Sequence, residues 1–203
     1  MERVILNTPL TTETVEKLNC GQQVLLNGVL YTARDAAHKK LSEYLRDGRD
    51  LPFRLVGQVI YYVGPTPARP GGVIGSAGPT TSGRMDVYTP QLYAGGVKAT
   101  IGKGRRSPEV IRAIREHKGV YLAAVGGAAA LIAKCITEAK VIAFPELGPE
   151  AIYALTVNDF PAIVVNDVYG RDLYEESVKQ YRDATTIALR GPGSGNNQGV
   201  FNI

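Results

Sequence analysis

A short loop of hydroxyl-bearing residues that leads to an arginine is the part of this sequence best suited to chemistry. Residues 78–86 read Gly-Pro-Thr-Thr-Ser-Gly-Arg-Met-Asp and follow a glycine-rich apolar run over 71–77, which is predicted to be a strand. Glycine and proline fix such a loop, and glycine lets a ligand approach the main chain closely. Arg84 supplies a planar fork of donors that matches a carboxylate or a phosphate. The loop is therefore predicted to bind a small anion, with an ordinary Ser/Thr/Gly turn as the alternative.

Arg34 and His38 form a second candidate group, four residues apart in a helix predicted over 33–45. At this spacing the two side chains share one face of the helix. A guanidinium beside an imidazole suits a site that binds a carboxylate and moves a proton, and a solvated polar face is the alternative. Asp35 is expected to point elsewhere and to stabilise the start of the helix.

Two glycine-containing turns add weaker signals. Lys103 lies in a Gly-Lys-Gly turn between a predicted strand and a predicted helix, where backbone N–H groups and a lysine collect anions. Arg105 stands where a nucleotide-binding Walker loop has a hydroxyl residue, so no nucleotide site is predicted. Together with Arg106, these residues form a small basic cluster. Gly126-Gly127 is a further candidate for anion binding, but close packing of a helix on the sheet explains it better.

The composition limits the possible classes of protein. With 44% hydrophobic and 21% charged residues, one globular domain is predicted over 1–189, followed by a flexible tail over 190–203. The net charge of +4 is modest and aromatic and basic residues do not interleave, so no nucleic-acid partner is expected. No apolar run is long enough to span a bilayer, and the first residues lack the apolar core of a signal peptide. A cytoplasmic protein is therefore predicted, without a membrane partner.

Only two cysteines are present, Cys20 and Cys135, and neither belongs to a C-x-x-C or similar motif. An iron–sulfur cubane needs three or four protein thiolates, so this chain is not expected to hold a metal cluster alone. Cys135 lies in a small-residue helix predicted over 128–137 and is expected to be a buried apolar residue. A structural disulfide is not expected in a reducing compartment.

The pattern of elements predicts a mixed α/β fold, because strands alternate with helices after a first half that looks richer in hairpins. Asn27-Gly28, inside an apolar stretch, predicts a hairpin with a type I′ turn. Ser107-Pro108 predicts the start of a helix, with a hydroxyl cap and proline in the first position. The remaining predicted elements are strands over 55–63, 96–101, 120–125, 140–144, 151–157 and 162–166, and helices over 85–93 and 173–181.

In the order and spacing of its candidate motifs, this sequence resembles the β subunit, or carboxy-terminal domain, of the iron–sulfur hydro-lyases. This family includes class I fumarate hydratase and L-tartrate dehydratase. The resemblance extends over about residues 4–181 and is carried by Arg-Asp-Ala-Ala-His-Lys, by the hydroxyl loop, and by segments 101–107, 145–148 and 159–165. It implies a three-layer β/β/α swivelling domain. It also implies a [4Fe-4S] cluster ligated by a cysteine-bearing α subunit, in an expected α2β2 heteromer, with no metal ligand from this chain.

The resemblance further implies roles for individual side chains. Arg34 and Arg84 would bind the carboxylates of a C4-dicarboxylate, with Lys103 nearby as a further binding and catalytic group. Thr80 would be the proton-transfer group, its hydroxyl activated by nearby positive charge, and a relay through His38 is the open alternative. The two hydroxyl residues that follow Thr80 are expected only to shape the loop.

The activity that the resemblance implies is the reversible hydration of fumarate to malate, a step of the tricarboxylic acid cycle, at a site shared with the α subunit. L-Tartrate dehydratase, or a homologue acting on a methylated dicarboxylate, is the alternative among enzymes, because one or two pocket side chains can set that specificity. A non-catalytic anion-binding module is the alternative outside enzymes. The joint presence of the arginines, the lysine, the histidine and the threonine argues against it.

Overall fold

One sheet of seven strands organises residues 3–124 and 129–190, the part of the chain that the computed structural model describes. The strands are β1 (Val4–Asn7), β2 (Gln23–Thr32), β3 (Val59–Tyr61), β4 (Ala99–Gly102), β5 (Val120–Ala123), β6 (Ile136–Ala143) and β7 (Ile152–Asn166). Their order in the sheet is β1-β2-β3-β4-β5-β7-β6, and β2 also pairs with β7. Together with the helices that connect the strands, this sheet confirms the predicted mixed α/β class.

Helices and 3₁₀ turns connect the strands. The helices are α1 (Thr12–Glu16), α2 (Asp35–Arg46), α3 (Thr89–Ala94), α4 (Pro108–Glu116), α5 (Ala129–Lys134) and α6 (Leu173–Arg190), and the 3₁₀ turns are Ser82–Met85 and Pro145–Glu150. α4 begins as predicted, because Ser107 Oγ accepts the N–H of Val110 at 3.4 Å. α2 begins at Asp35, two residues later than predicted, because Arg34 keeps an extended backbone (φ −118°, ψ −162°).

Residues up to Leu173 form one unit, and α6 from Tyr174 onward belongs to a second unit. α6 begins where the sequence predicts, with Glu175 and Glu176 in its first turn, where they complement the helix dipole. No helix among the described residues is long and apolar enough to cross a membrane.

Two long strands, β2 and β7, tie the sheet together. The first half of β2 pairs in parallel with β1, and its last residues pair in parallel with β3. Its other edge runs antiparallel to β7, which also pairs with β6 near its start and with β5 near its end. These pairings close β2, β3, β4, β5 and β7 into a ring. Buried side chains of these five strands contribute much of the core, among them Leu26, Leu30, Val59, Tyr61, Ile101, Leu122, Phe160 and Val164.

The hairpin predicted at Asn27-Gly28 is wrong, because β2 continues through both residues. Gly28 has the positive φ (+107°) that suggested a turn, but it forms a bulge at which the register with β7 shifts. A Cβ on Gly28 would lie 2.5 Å from Thr8 Oγ1, so the close approach of Thr8 requires glycine here. Asn27 Oδ1 accepts the N–H of Asp159 at 2.8 Å, so its side chain links two strands.

Other predictions of elements also need correction. The predicted strand over 71–77 is a loop without strand pairing. The strands predicted over 151–157 and 162–166 are one strand, because Asp159 adopts φ +50° and the pairing with β2 continues past it. The predicted tail lies outside the described residues except for Arg190, the last residue of α6.

A buried ion pair joins the segment around Asp86 to the start of α4. Arg106 Nε donates to Asp86 Oδ1 at 2.8 Å, and the Arg106 side chain is completely buried. Its other donors reach hydroxyl groups, with Nη1 to Thr100 Oγ1 at 3.0 Å and Nη2 to Thr89 Oγ1 at 2.9 Å. Asp86 Oδ2 accepts the N–H of Ser107 at 2.6 Å. Arg106 follows Arg105 in the basic cluster of the sequence, but its guanidinium is buried and bonded within the fold, so it is not available to an anionic ligand.

We expect Asp86→Ala to lower the free energy of unfolding by about 3–5 kcal/mol, because it leaves the Arg106 charge buried without a counter-ion. The matched control is Asp47→Ala, which breaks an exposed pair with Arg46 and Arg49 and is expected to cost less than about 1 kcal/mol. Urea unfolding followed by circular dichroism measures both. Equal losses in the two variants would contradict a structural role for the buried pair.

Candidate functional site

Neighbouring parallel strands end at one edge of the sheet, and a residue of the candidate site follows each of them. Arg34 comes two residues after β2, Gly64 three residues after β3, and Lys103 directly after β4. The carboxyl ends of parallel strands are the usual place for a ligand in an α/β sheet. The next parallel strand, β5, leads toward Gly126-Gly127, which lie outside the described residues.

Backbone hydrogen bonds hold the hydroxyl loop between the ends of β3 and β4. The N–H of Thr80 donates to the carbonyl of Tyr62 at 2.8 Å, and the N–H of Lys103 donates to the carbonyl of Thr80 at 3.2 Å. The N–H of Ser82 then donates to the carbonyl of Lys103 at 2.9 Å. Thr80 and Lys103, which are 23 positions apart in the sequence, are therefore neighbours in the fold.

Ser82 and Gly102 pack closely against each other and hold the hydroxyl loop against the end of β4. The Ser82 side chain is buried, and its Oγ lies 2.9 Å from the hydroxyl of Tyr121. A Cβ on Gly102 would lie 2.0 Å from Ser82 Oγ and 2.9 Å from Tyr62 Cδ2, so no side chain fits there without movement of both neighbours. These contacts agree with the loop-shaping role expected for Ser82.

Asp35 connects the two arginines of the candidate site. Arg84 Nε donates to Asp35 Oδ1 at 3.0 Å, and Arg84 Nη2 donates to Asp35 Oδ2 at 2.5 Å. Arg34 Nη2 lies 3.8 Å from the same Asp35 Oδ2. The expectation that Asp35 points away from the site is therefore wrong. The structure brings Arg34 and Arg84 together through this carboxylate.

Glu150 is a second acidic residue of the site that the sequence analysis missed. Its Oε1 lies 3.5 Å from Arg34 Nη2, and its Oε2 accepts the N–H of Ala36 at 2.9 Å, in the first turn of α2. Arg34 also packs on Gly64, where a Cβ would lie 2.8 Å from Arg34 Nη1. The 3₁₀ turn that carries Glu150 includes the segment 145–148, which was noted only as part of the family resemblance.

His38 lies in the core and does not share an exposed face with Arg34. Its Nδ1 is 2.9 Å from the carbonyl oxygen of Arg34, and because a carbonyl only accepts, Nδ1 carries the proton. Burial lowers the pKa of His38 from 6.5 to about 4, so the ring is neutral at pH 7. Nε2 has no hydrogen-bond partner among the described residues. The centroids of the His38 and Tyr62 rings lie 5.2 Å apart, in an edge-to-face arrangement.

The polar side chains that remain open to solvent are predominantly cationic. Arg84 is half exposed, Lys103 is exposed, and the Thr80 side chain is partly exposed with no side-chain partner among the described residues. Arg34 is about three-quarters buried. Arg34, Arg84 and Lys103 carry three positive charges against the two negative charges of Asp35 and Glu150. The arrangement suits an anionic ligand with more than one carboxylate.

The described residues do not fit an iron–sulfur cluster. Cys20 Sγ donates to the carbonyl of Val165 at 3.2 Å, and Cys135 Sγ lies 3.9 Å from the carbonyl of Leu131. Burial and the charge of Asp159 raise the pKa of the Cys135 thiol, which disfavours the thiolate form that a metal ligand needs. No group of three or more His, Cys, Asp or Glu side chains in the described part of the chain has the arrangement of a metal site.

Comparison with known proteins finds relatives that are named fumarate hydratase or tartrate dehydratase. The profile of the family described as Fumarase C-terminus matches residues 1–177. The chain is 44% identical over 160 residues to "Fumarate hydratase 2" of Leishmania major, a match that covers 78% of this chain and 28% of that protein. It is 41% identical over 179 residues to "Fumarate hydratase class I, aerobic" of Escherichia coli, which covers 86% and 32% respectively.

A third relative has a different length. The chain is 42% identical over 177 residues to the "Putative L(+)-tartrate dehydratase subunit beta" of Methanocaldococcus jannaschii, a match that covers 84% of this chain and 91% of that protein. The chain thus spans about a third of the fumarate hydratases it matches and nearly the whole of this β subunit. The matched residues include the whole candidate site. This chain belongs to the fumarase C-terminus family, as the resemblance predicted.

Proposed function

We propose that this chain is the β component of a fumarate hydratase, which holds the C4-dicarboxylate and supplies the proton-transfer group at a site shared with an α subunit. The observation that carries the proposal is the pair of arginines, Arg34 and Arg84, joined by one carboxylate at the carboxyl edge of parallel strands. Hydration and dehydration of a C4-dicarboxylate need both carboxylates held while a proton is added to, or removed from, the carbon beside one of them. Two neighbouring guanidinium groups provide the first of these requirements.

The proton-transfer role is proposed for Thr80, and Lys103 is proposed to assist it. The backbone bond between the two residues places the lysine next to the hydroxyl loop, so its positive charge can lower the pKa of the Thr80 hydroxyl in a dry site. His38 is less suited to direct contact with substrate, because its ring is buried. In this proposal His38 supports the backbone of Arg34, and it becomes the proton-transfer candidate only if Thr80 proves dispensable.

The partner is proposed to be a cysteine-bearing α subunit that carries the [4Fe-4S] cluster. Three facts support this: the described residues offer no cluster site, the chain spans about a third of its fumarate hydratase relatives, and it matches nearly all of a protein named as a β subunit. We propose an α2β2 assembly in the cytoplasm. L-Tartrate, or a methylated dicarboxylate, is the alternative substrate, and the tartrate dehydratase relative favours it specifically.

The test is anaerobic co-expression with the α subunit, followed by an assay of malate, fumarate and L-tartrate turnover by ultraviolet absorbance. We expect turnover only when both chains are present, and a native mass that corresponds to α2β2. The chain alone is expected to be colourless and inactive after treatment with iron and sulfide, because two separated cysteines cannot hold a cluster. Turnover of malate by the single chain at an ordinary enzymatic rate would overturn the division of labour.

Arg84→Lys is expected to lower kcat/KM by the equivalent of about 2–4 kcal/mol in transition-state stabilisation. Lysine keeps the charge, but it cannot bind Asp35 along one edge and a substrate carboxylate along another. The matched control is Arg46→Lys at the last residue of α2, away from the candidate site. This variant should leave kcat/KM unchanged. If Arg84→Lys stays within a factor of two of the wild type, Arg84 does not belong to the site.

Thr80→Val and Thr80→Ser together test the proton-transfer role. Valine keeps the shape and removes the hydroxyl, so we expect turnover to fall about 100-fold or more, whereas serine keeps the hydroxyl and stays active. Exchange of the labelled proton of malate should fall with turnover, while substrate affinity changes much less because the arginines remain. If both variants are equally active, the hydroxyl only shapes the loop, and His38→Asn is then the variant expected to stop exchange.

A further inference from the structure

We propose that Asp35 is a positioning residue that orients the Arg84 guanidinium and sets its spacing from Arg34, so that both arginines present free donors to the same dicarboxylate. The inference deepens the proposed function and rests on it. Asp35 thereby has a role beyond that of an acidic residue in the first turn of α2.

The bond between Asp35 and Arg84 leaves a complete binding edge of the guanidinium open. A guanidinium has five N–H donors, and Asp35 engages one on Nε and one on Nη2. Three donors remain, two on Nη1 and one on Nη2, and one on each of these nitrogens points along the end of the side chain. That end can bind a second carboxylate with two parallel hydrogen bonds while the bond to Asp35 persists. The Arg84 side chain is half exposed, and no hydrogen bond of its Nη1 is found among the described residues.

Asp35 also controls the repulsion between the two arginines. Its Oδ2 lies 2.5 Å from Arg84 Nη2 and 3.8 Å from Arg34 Nη2, so one oxygen attracts both guanidinium groups. Without that negative charge, the two cations would repel each other and separate. Asp35 itself is fixed, because it occupies the first turn of α2, and Glu150 accepts the N–H of the next residue, Ala36.

The stability that this pair contributes is expected to be small. The Asp35 side chain is 36% exposed and that of Arg84 is 50% exposed, and ion pairs in such positions contribute little to folding. The Arg106–Asp86 pair is the contrasting case, since its guanidinium is completely buried. A large effect of removing the Asp35 charge on substrate binding, without an effect on stability, would therefore identify positioning rather than folding as its role.

The test uses Asp35→Asn in the complex with the α subunit, with Asp47→Asn as the matched control. Asp47 is also an aspartate paired with arginine, but it lies at the other end of the same helix. We expect Asp35→Asn to raise KM for malate and weaken the binding of succinate, a saturated dicarboxylate, each by about 10- to 100-fold, because misplaced donors lose alignment. The control should match the wild type, and both variants should keep the wild-type melting temperature within a few degrees.

The direction of the change in affinity separates positioning from simple electrostatics. Asp35→Asn makes the site one charge more positive, so a role limited to charge would tighten the binding of succinate, and that result would overturn the inference. The double variant Asp35→Asn/Arg84→Lys supplies a second criterion. If Asp35 acts through Arg84, the second substitution adds little to the loss caused by Arg84→Lys alone, whereas losses that multiply would also overturn the inference.

The wild-type complex separates this inference from the proposed function. Absence of hydro-lyase turnover in that complex overturns the proposed function and takes the inference with it, because no substrate is then positioned. Normal turnover in the wild type, together with an Asp35→Asn variant that behaves like Asp47→Asn, overturns only the inference. Normal turnover with weaker succinate binding and non-additive losses supports both.

Discussion

The Arg106–Asp86 ion pair is the constraint on which the candidate site depends. Asp86 accepts from the Arg106 side chain and from the N–H of Ser107, so the end of the 3₁₀ turn that carries Arg84 is tied to the first turn of α4. Thr100, on β4, accepts another hydrogen bond from the same guanidinium. The hydroxyl loop is therefore anchored on a buried charge pair on one side and on backbone bonds to neighbouring strand ends on the other.

The ion pairs of this region are of two kinds, buried pairs that stabilise the fold and partly exposed pairs whose arginines can still bind a ligand. Removing one partner of a fully buried pair leaves an uncompensated charge in a medium of low dielectric constant, so such a pair cannot exchange partners. Arg106 is of this kind, and none of its hydrogen bonds is available to a ligand. Arg84 and Arg34 keep contact with solvent, and their carboxylate partners occupy only some of their donors. The cations that can bind a ligand are thus the incompletely buried ones.

Local chemistry made a large part of this fold predictable, and contacts between distant segments account for what was missed. The cap at Ser107 follows from short-range rules, and these rules together with the family resemblance predict the hydroxyl loop as a candidate site. Gly28 was misassigned because a type I′ turn and a bulge require the same positive φ, and only the pairing with β7 distinguishes them. Asp35 and Glu150 reach their partners across 49 and 114 positions, respectively. No periodicity within one element reveals such contacts.

The contact between Gly102 and the hydroxyl loop has a consequence for how sequences of this kind can diverge. A methyl group at position 102 would collide with Ser82 and with the ring of Tyr62. Tyr62 in turn lies against the imidazole of His38 and receives a hydrogen bond from Arg106. A single substitution at position 102 would therefore disturb the loop, the core histidine and the buried arginine together. Among related chains, any residue larger than glycine at this position should occur only with simultaneous changes at positions 62 and 82.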